Sequence, residues 1–116
     1  MGRGFAARFG LVMGALLAAA ASCASTSPDP EQRLNAAFAR IQVHEAGLER
    51  ARLQLRSGAA NCELGCAAAG DAQHEQSELC AIAREVADAD ALARCDRAQR
   101  TAASIRAQAS RRCGCR

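Results

Sequence analysis

The segments CELGCAAAGDAQHEQSELC, residues 62–80, and CDRAQRTAASIRAQASRRC, residues 95–113, decide the fold. Each segment begins and ends with a cysteine, and the two cysteines are 18 residues apart. Because an α-helix has 3.6 residues per turn, this spacing is five whole turns and puts both cysteines on one helical face. The pattern predicts two antiparallel helices that reverse about residues 87–88 and are joined by disulfides.

The antiparallel arrangement also predicts which cysteines pair. A reversal about residues 87–88 places Cys80 opposite Cys95, and Cys62 opposite Cys113. The N-terminal segment, described below, predicts export to an oxidising compartment. Such a compartment favours disulfides over free thiols. We therefore expect these two pairs to be covalent.

The third pair is predicted from the C-terminus. Cys66 lies one helical turn from Cys62 on the same face. Gly114 can adopt the left-handed conformation that ends many helices and so return Cys115 towards Cys66. We favour a Cys66–Cys115 disulfide. The nested alternative, in which Cys62 pairs with Cys115 and Cys66 pairs with Cys113, remains open.

A further helix is predicted before the cysteine region. Asp29 suits the N-cap, Pro30 suits the first helical position, and Gln32 suits the third. Apolar and small residues then recur with the heptad spacing of a coiled-coil seam. The seam consists of Leu34, Ala37, Ile41, His44, Leu48, Ala51 and Leu55.

The cysteine region itself predicts the two remaining helices. The second helix covers residues 61–86, with a kink or break expected at Gly70. The third begins at Asp88 or Asp90 and ends near residue 112. Its predicted inner face consists of Leu92, Cys95, Ala98, Ala102, Ile105, Ala109 and Cys113.

The predicted fold class is all-α. A connection of about three residues, 58–60, makes the first two helices antiparallel neighbours, which gives an antiparallel three-helix bundle. The alternative is a helix plus a disulfide-stapled helical hairpin, with the first helix pairing with another protein or with a second copy. Large aliphatic side chains are scarce, so we expect disulfides to supplement a thin core.

The N-terminal segment predicts export. Residues 1–8 contain Arg3 and Arg8 and no acidic residue, and residues 9–21 are an apolar run that ends in small residues. This order is typical of a secretory signal peptide. The run is shorter than the roughly 20 apolar residues of a membrane span, so a retained transmembrane anchor is the less favoured alternative.

The end of this segment, Ala20-Ala21-Ser22-Cys23, resembles a bacterial lipobox, although the family most often has leucine in place of Ala20. The resemblance implies lipidation of Cys23 and attachment to a membrane by more than one acyl chain. Because Ala24 follows instead of aspartate, it also implies the outer membrane. The alternative is cleavage near Ala21 or Ala24, which gives a soluble secreted protein.

These features divide the chain into three parts. Residues 1–22 are the predicted lipoprotein signal peptide, and residues 23–29 are a small, polar, proline-containing linker. Residues 30–116 are the predicted cysteine-rich helical domain. The chain resembles the small Ala- and Arg-rich, cysteine-bearing lipoproteins of high-GC bacteria, and that resemblance implies no mechanism.

Composition excludes several classes of function. Without Arg3 and Arg8, the chain has thirteen arginines and twelve acidic residues. This near balance of charge gives no electrostatic reason to expect nucleic-acid binding. Phe38 is the only aromatic residue beyond the signal segment, which disfavours stacking on sugars or bases. No nucleophile–base pair or phosphate-binding loop is recognisable. We predict no catalytic residues, no cofactor and no small-molecule substrate, and a structural or protein-interaction role in the cell envelope.

The alternative function is metal or thiol handling. Cys62 and Cys66 face the same way, and together with Cys113 and Cys115 they could hold one metal ion. Residues 62–115 resemble helix-hairpin proteins with paired cysteines, some of which handle copper or serve as disulfide scaffolds. Structural disulfides are favoured because of the export signal, and no Cys-x-x-Cys redox motif is present.

Histidines offer a weaker metal hypothesis. His44 and His74 fall at nearly the same height of the predicted bundle, beside Glu45 and Glu75. We favour a structural role, in which His44 faces the seam with a satisfied hydrogen bond and His74 is solvated. Residues 71–78 are the most polar part of the second helix, and we interpret them as a solvated face.

Overall fold

The computed structural model describes residues 26–58 and 60–115, and these residues form three helices without a β-strand. Helix α1 covers Pro30–Ser57, α2 covers Cys62–Val86 and α3 covers Ala89–Cys113. The prediction of an all-α fold built from three helices is confirmed.

Each helix begins at a side-chain cap. Asp29 accepts a hydrogen bond from the Glu31 N–H at 2.9 Å, with Pro30 at the start of α1. Asn61 accepts one from the Leu64 N–H at 3.2 Å at the start of α2. These side chains satisfy backbone donors that have no partner inside the helix. Both helix starts predicted from the sequence are confirmed.

The reversal between α2 and α3 occupies only two residues. Ala87 adopts a left-handed conformation, with φ 52°, and caps the end of α2. Asp88 then caps α3 by accepting hydrogen bonds from the N–H groups of Asp90 and Ala91. The predicted reversal about residues 87–88 is therefore confirmed.

The core lies along α2, which packs against both other helices, whereas α1 and α3 touch less extensively. The largest fully buried side chains are Ile41, Leu79, Ile105 and Cys80. No polar or charged residue of the described ranges is fully buried. Of the predicted α1 seam, Leu34 and His44 are half-buried, and five residues are buried: Ala37, Ile41, Leu48, Ala51 and Leu55.

Two details of the sequence prediction are wrong. Helix α2 has no break at Gly70: it continues from Cys62 to Val86, with the neighbouring Ala69 and Ala72 buried in the core. On α3, Leu92 is 41% exposed and Ala91 is fully buried in its place. The inner face of α3 therefore begins one position earlier than predicted.

The structure also distinguishes the two architectures that the sequence left open for α1. Ile41, Leu48 and Leu55 of α1 belong to the same hydrophobic core as the buried residues of α2 and α3. Helix α1 thus packs on its own hairpin and completes a three-helix bundle.

Candidate functional site

Disulfides join α2 to α3 and its C-terminus at two levels. Cys80 pairs with Cys95 near the reversal, with a Cα–Cα distance of 4.8 Å. At the opposite end, Cys62 pairs with Cys113 at a Cα–Cα distance of 5.2 Å. These are the two pairs that the 18-residue spacing favours.

The third disulfide holds the residues after α3. Gly114 adopts φ 65° and its N–H donates to the Ser110 carbonyl at 2.8 Å, which turns the chain back at the helix end. Cys115 then reaches Cys66, and their Cα atoms are 5.5 Å apart. The structure therefore contains the Cys66–Cys115 pair and not the nested arrangement.

The disulfides differ in their accessibility. Cys80 is fully buried and Cys95 nearly so, whereas Cys62 is exposed. The Cys80–Cys95 disulfide is therefore shielded from a soluble reductant, and the Cys62–Cys113 disulfide at the opposite end is more accessible to it. The four cysteines of the metal hypothesis do lie together at that end, but their sulfurs are bonded in pairs and cannot act as thiolate ligands in this state. No group of three potential ligands among residues 26–58 and 60–115 is arranged to hold a metal ion.

A polar contact crosses the α1–α2 interface at mid-height. His44 Nδ1 lies 2.6 Å from Glu75 Oε2, and both side chains are about one-fifth exposed. The Glu75 carboxyl group packs over Gly47, where an added methyl group would collide with it. His74 is exposed. Both expectations for the histidines are confirmed, and the partner of His44 is Glu75, which the sequence placed at the same height.

A second polar cluster, which was not predicted from the sequence, joins α1 to α3. Arg94 donates to Asp90 at 2.9 Å and to Glu45 at 3.0 Å, and its guanidinium lies 5.3 Å from the centre of the Phe38 ring. The hydrogen bond that Arg94 donates to Asp90 is the largest of the effects that raise the pKa of Arg94. The signal in the sequence was the four-residue spacing of Asp90 and Arg94 on a helix.

Two open grooves lie on the surface of the bundle. One, of about 640 Å³, lies between the start of α1 and the end of α2, where Leu34, Ile82 and Val86 line it beside Arg33 and Arg40. The other, of about 510 Å³, lies between α2 and α3. Small residues line most of it, with polar groups at its margin: Cys66, Ala69, Gly70, Gln73, Ala103, Arg106, Ala107, Ser110 and Cys115.

In the polar stretch of α2, residues 71–78, some side chains are half-buried and others are exposed. Gln76 is half-buried and its amide lies 3.6 Å from Cys80 Sγ, whereas Gln73 is exposed. Large apolar side chains are also exposed at separate points of the surface, among them Val43 at 61% and Leu53 at 53%. Dispersed apolar residues of this kind are normal and define no docking face by themselves.

The predicted lipidation site, Cys23, lies outside the described residues, as does the predicted signal peptide. None of the helices in residues 26–58 and 60–115 has the length and apolar character needed to cross a membrane. Comparison with known proteins identifies no matching family model, no similar curated protein and no similar solved structure.

Proposed function

We propose that this protein is a lipid-anchored envelope protein whose three-helix bundle is a rigid module for binding a partner protein. The observation that carries the proposal is that all six cysteines of the described bundle are paired in disulfides. Disulfides of this kind persist in exported proteins and are rare where thiols are kept reduced.

The start of α1 is compatible with a short tether. Helix α1 begins at Pro30, seven residues after Cys23, and the groove near residues 30–40 lies at the same end of the bundle. Lipid on Cys23 would hold this end, which we call the proximal end, close to the membrane. The end that contains Ser57, Cys62 and Cys113, the distal end, would project away from it.

The interaction role rests on the rigidity of the hairpin. Cross-links at both ends of α2 and α3 fix the relative position of the two helices, so their exposed side chains are presented in one geometry. Preorganised surfaces of this kind lose less conformational entropy when they bind. The four-thiolate metal function is not favoured because no thiol among these six cysteines is free.

The test is the intact mass and location of the protein purified without reductant. We expect loss of residues 1–22, acyl chains on Cys23, a mass lower by six hydrogens for three disulfides, and recovery in the outer-membrane fraction. A Cys23→Ser variant should lose the acyl chains, while a Ser25→Ala variant, changed two residues further on, should keep them. Recovery of unacylated wild-type protein in the soluble fraction would support the secreted alternative instead.

A further inference from the structure

The charged residues of the bundle are distributed unequally between its two ends. Seven of the twelve acidic residues lie towards the proximal end: Asp29, Glu31, Glu78, Glu85, Asp88, Asp90 and Asp96. At the distal end, four arginines of α1 and α3 are exposed, and we call them the distal arginine surface: Arg56, Arg106, Arg111 and Arg112.

Helix α3 supplies most of this surface. From Arg97 to Cys115 the chain contains five arginines and no acidic residue. All five arginines are exposed, and none forms an ion pair with another residue of the described ranges. The acidic residues of α2 at this end are Glu63 and Asp71, both exposed.

The helix dipole explains part of this pattern. Arg56, Arg111 and Arg112 lie in the last turns of α1 and α3, where a positive charge is favourable. Arg106 lies about two turns before the end of α3, beyond the reach of that effect. The helix dipole also does not account for the absence of acidic residues from Arg97 to Cys113, because solvated helices commonly intersperse charges of both signs. A partner's negative charge would account for both features.

We propose that the distal arginine surface binds a carboxylate-rich segment of a partner protein. The proposal rests on the proposed function, because lipid on Cys23 makes this end point away from the membrane. Helix α1 has 28 residues, so the distal end lies about 42 Å from its start. The acidic proximal end faces the lipid, and the arginines remain available to carboxylates, which the planar guanidinium binds through paired hydrogen bonds.

The test is binding of a fluorescent oligoglutamate peptide to the full chain in non-ionic detergent, measured by anisotropy. The variant Arg106→Gln/Arg111→Gln/Arg112→Gln should bind the peptide roughly tenfold more weakly at low salt, as expected for the loss of three exposed charge contacts. The matched control, Arg33→Gln/Arg40→Gln/Arg84→Gln, removes the same charge from exposed proximal positions and should change affinity less than twofold. Circular dichroism checks that both variants remain helical.

Competition distinguishes carboxylates from lipid phosphates. Mixed micelles that contain phosphatidylglycerol should displace the peptide only at a higher anion concentration than unlabelled oligoglutamate does. The proposal is overturned if the wild-type chain does not bind the peptide, if both triple variants lose equal affinity, or if the phosphatidylglycerol micelles compete better. Because binding is measured in detergent, none of these results depends on acylation of Cys23, which the intact mass reports separately.

Discussion

Helix α1 and the α2–α3 hairpin are held in the fold by different means. The hairpin has three disulfides, and apart from Ile105 the buried face of α3 consists of alanines and Cys95. Helix α1 contains no cysteine and packs through larger residues, Ile41, Leu48 and Leu55. Short side chains let α2 and α3 approach closely enough for disulfides but bury little apolar area. In the hairpin, disulfides therefore supply stability that α1 obtains by burying its aliphatic side chains.

The largest expected effect comes from removing the cross-links altogether. Closure of the 15-residue loop between Cys80 and Cys95 contributes about 3 kcal/mol, and the distal pairs together contribute a similar amount. The sum is comparable to the whole stability of a small domain. We therefore expect full reduction to lower the thermal midpoint sharply, as measured by circular dichroism. An unchanged midpoint in protein with six titratable thiols among residues 62–115 would contradict this comparison.

The second prediction concerns α1. Ile41 is fully buried and lies on the one helix that contains no cysteine, so Ile41→Ala should lower the free energy of unfolding by about 3 kcal/mol. Hydrogen exchange should show lost protection in α1 while residues 80–95 remain protected. The control is Val43→Ala, at a position 61% exposed, which should change stability by less than about 0.5 kcal/mol. Uniform loss of protection across all three helices would mean that α1 and the hairpin unfold as one unit.

The third prediction separates the disulfides from one another. Cys66–Cys115 closes nearly the same loop as Cys62–Cys113, so the double variant Cys62→Ala/Cys113→Ala should lose less than about 1 kcal/mol. Cys80→Ala/Cys95→Ala should lose about 3 kcal/mol, because no other cross-link closes that loop. Chemical denaturation of the two variants measures the difference. Equal losses would show that the distal pairs are not redundant.

The smallest expected effects come from two helical glycines. Gly70 is exposed and its added methyl group would meet nothing, so Gly70→Ala should stabilise the fold by about 1 kcal/mol. Gly47→Ala gains the same helix propensity but displaces Glu75 from His44, so we expect no net stabilisation. Thermal unfolding of both variants at one pH makes the comparison. Equal stabilisation would show that the His44–Glu75 contact contributes nothing.

The sequence was most informative where local rules and periodicity agree. Asp29 was identified as the start of α1 because a capping side chain acts within three residues of its own position. The disulfide pairs followed from the 18-residue spacing, since five whole turns return to the same face. These features depend on one helix or one hairpin, and the structure contains them as expected.

Features that depend on the packing of one helix against another could not be predicted from local rules or periodicity. Leu92 was placed on the inner face of α3, but in the structure it is 41% exposed and the small Ala91 is fully buried instead. Arg94 joins three partners from two helices, and only its contact with Asp90 is local. The predicted break at Gly70 was wrong because packing of the alanines beside it keeps α2 continuous.

The most direct test of the covalent hairpin is a peptide map of the native protein, alkylated and digested with trypsin and Glu-C without reduction. Cleavage after Glu63, Glu75 and Glu78 separates Cys62, Cys66 and Cys80 into different peptides. We expect the Cys80 peptide to be linked to the Cys95 peptide alone. Fragmentation on either side of Gly114 should then assign Cys62 to Cys113 and Cys66 to Cys115. Recovery of Cys80 and Cys95 as alkylated thiols, or bonded to other cysteines, would contradict the covalent hairpin.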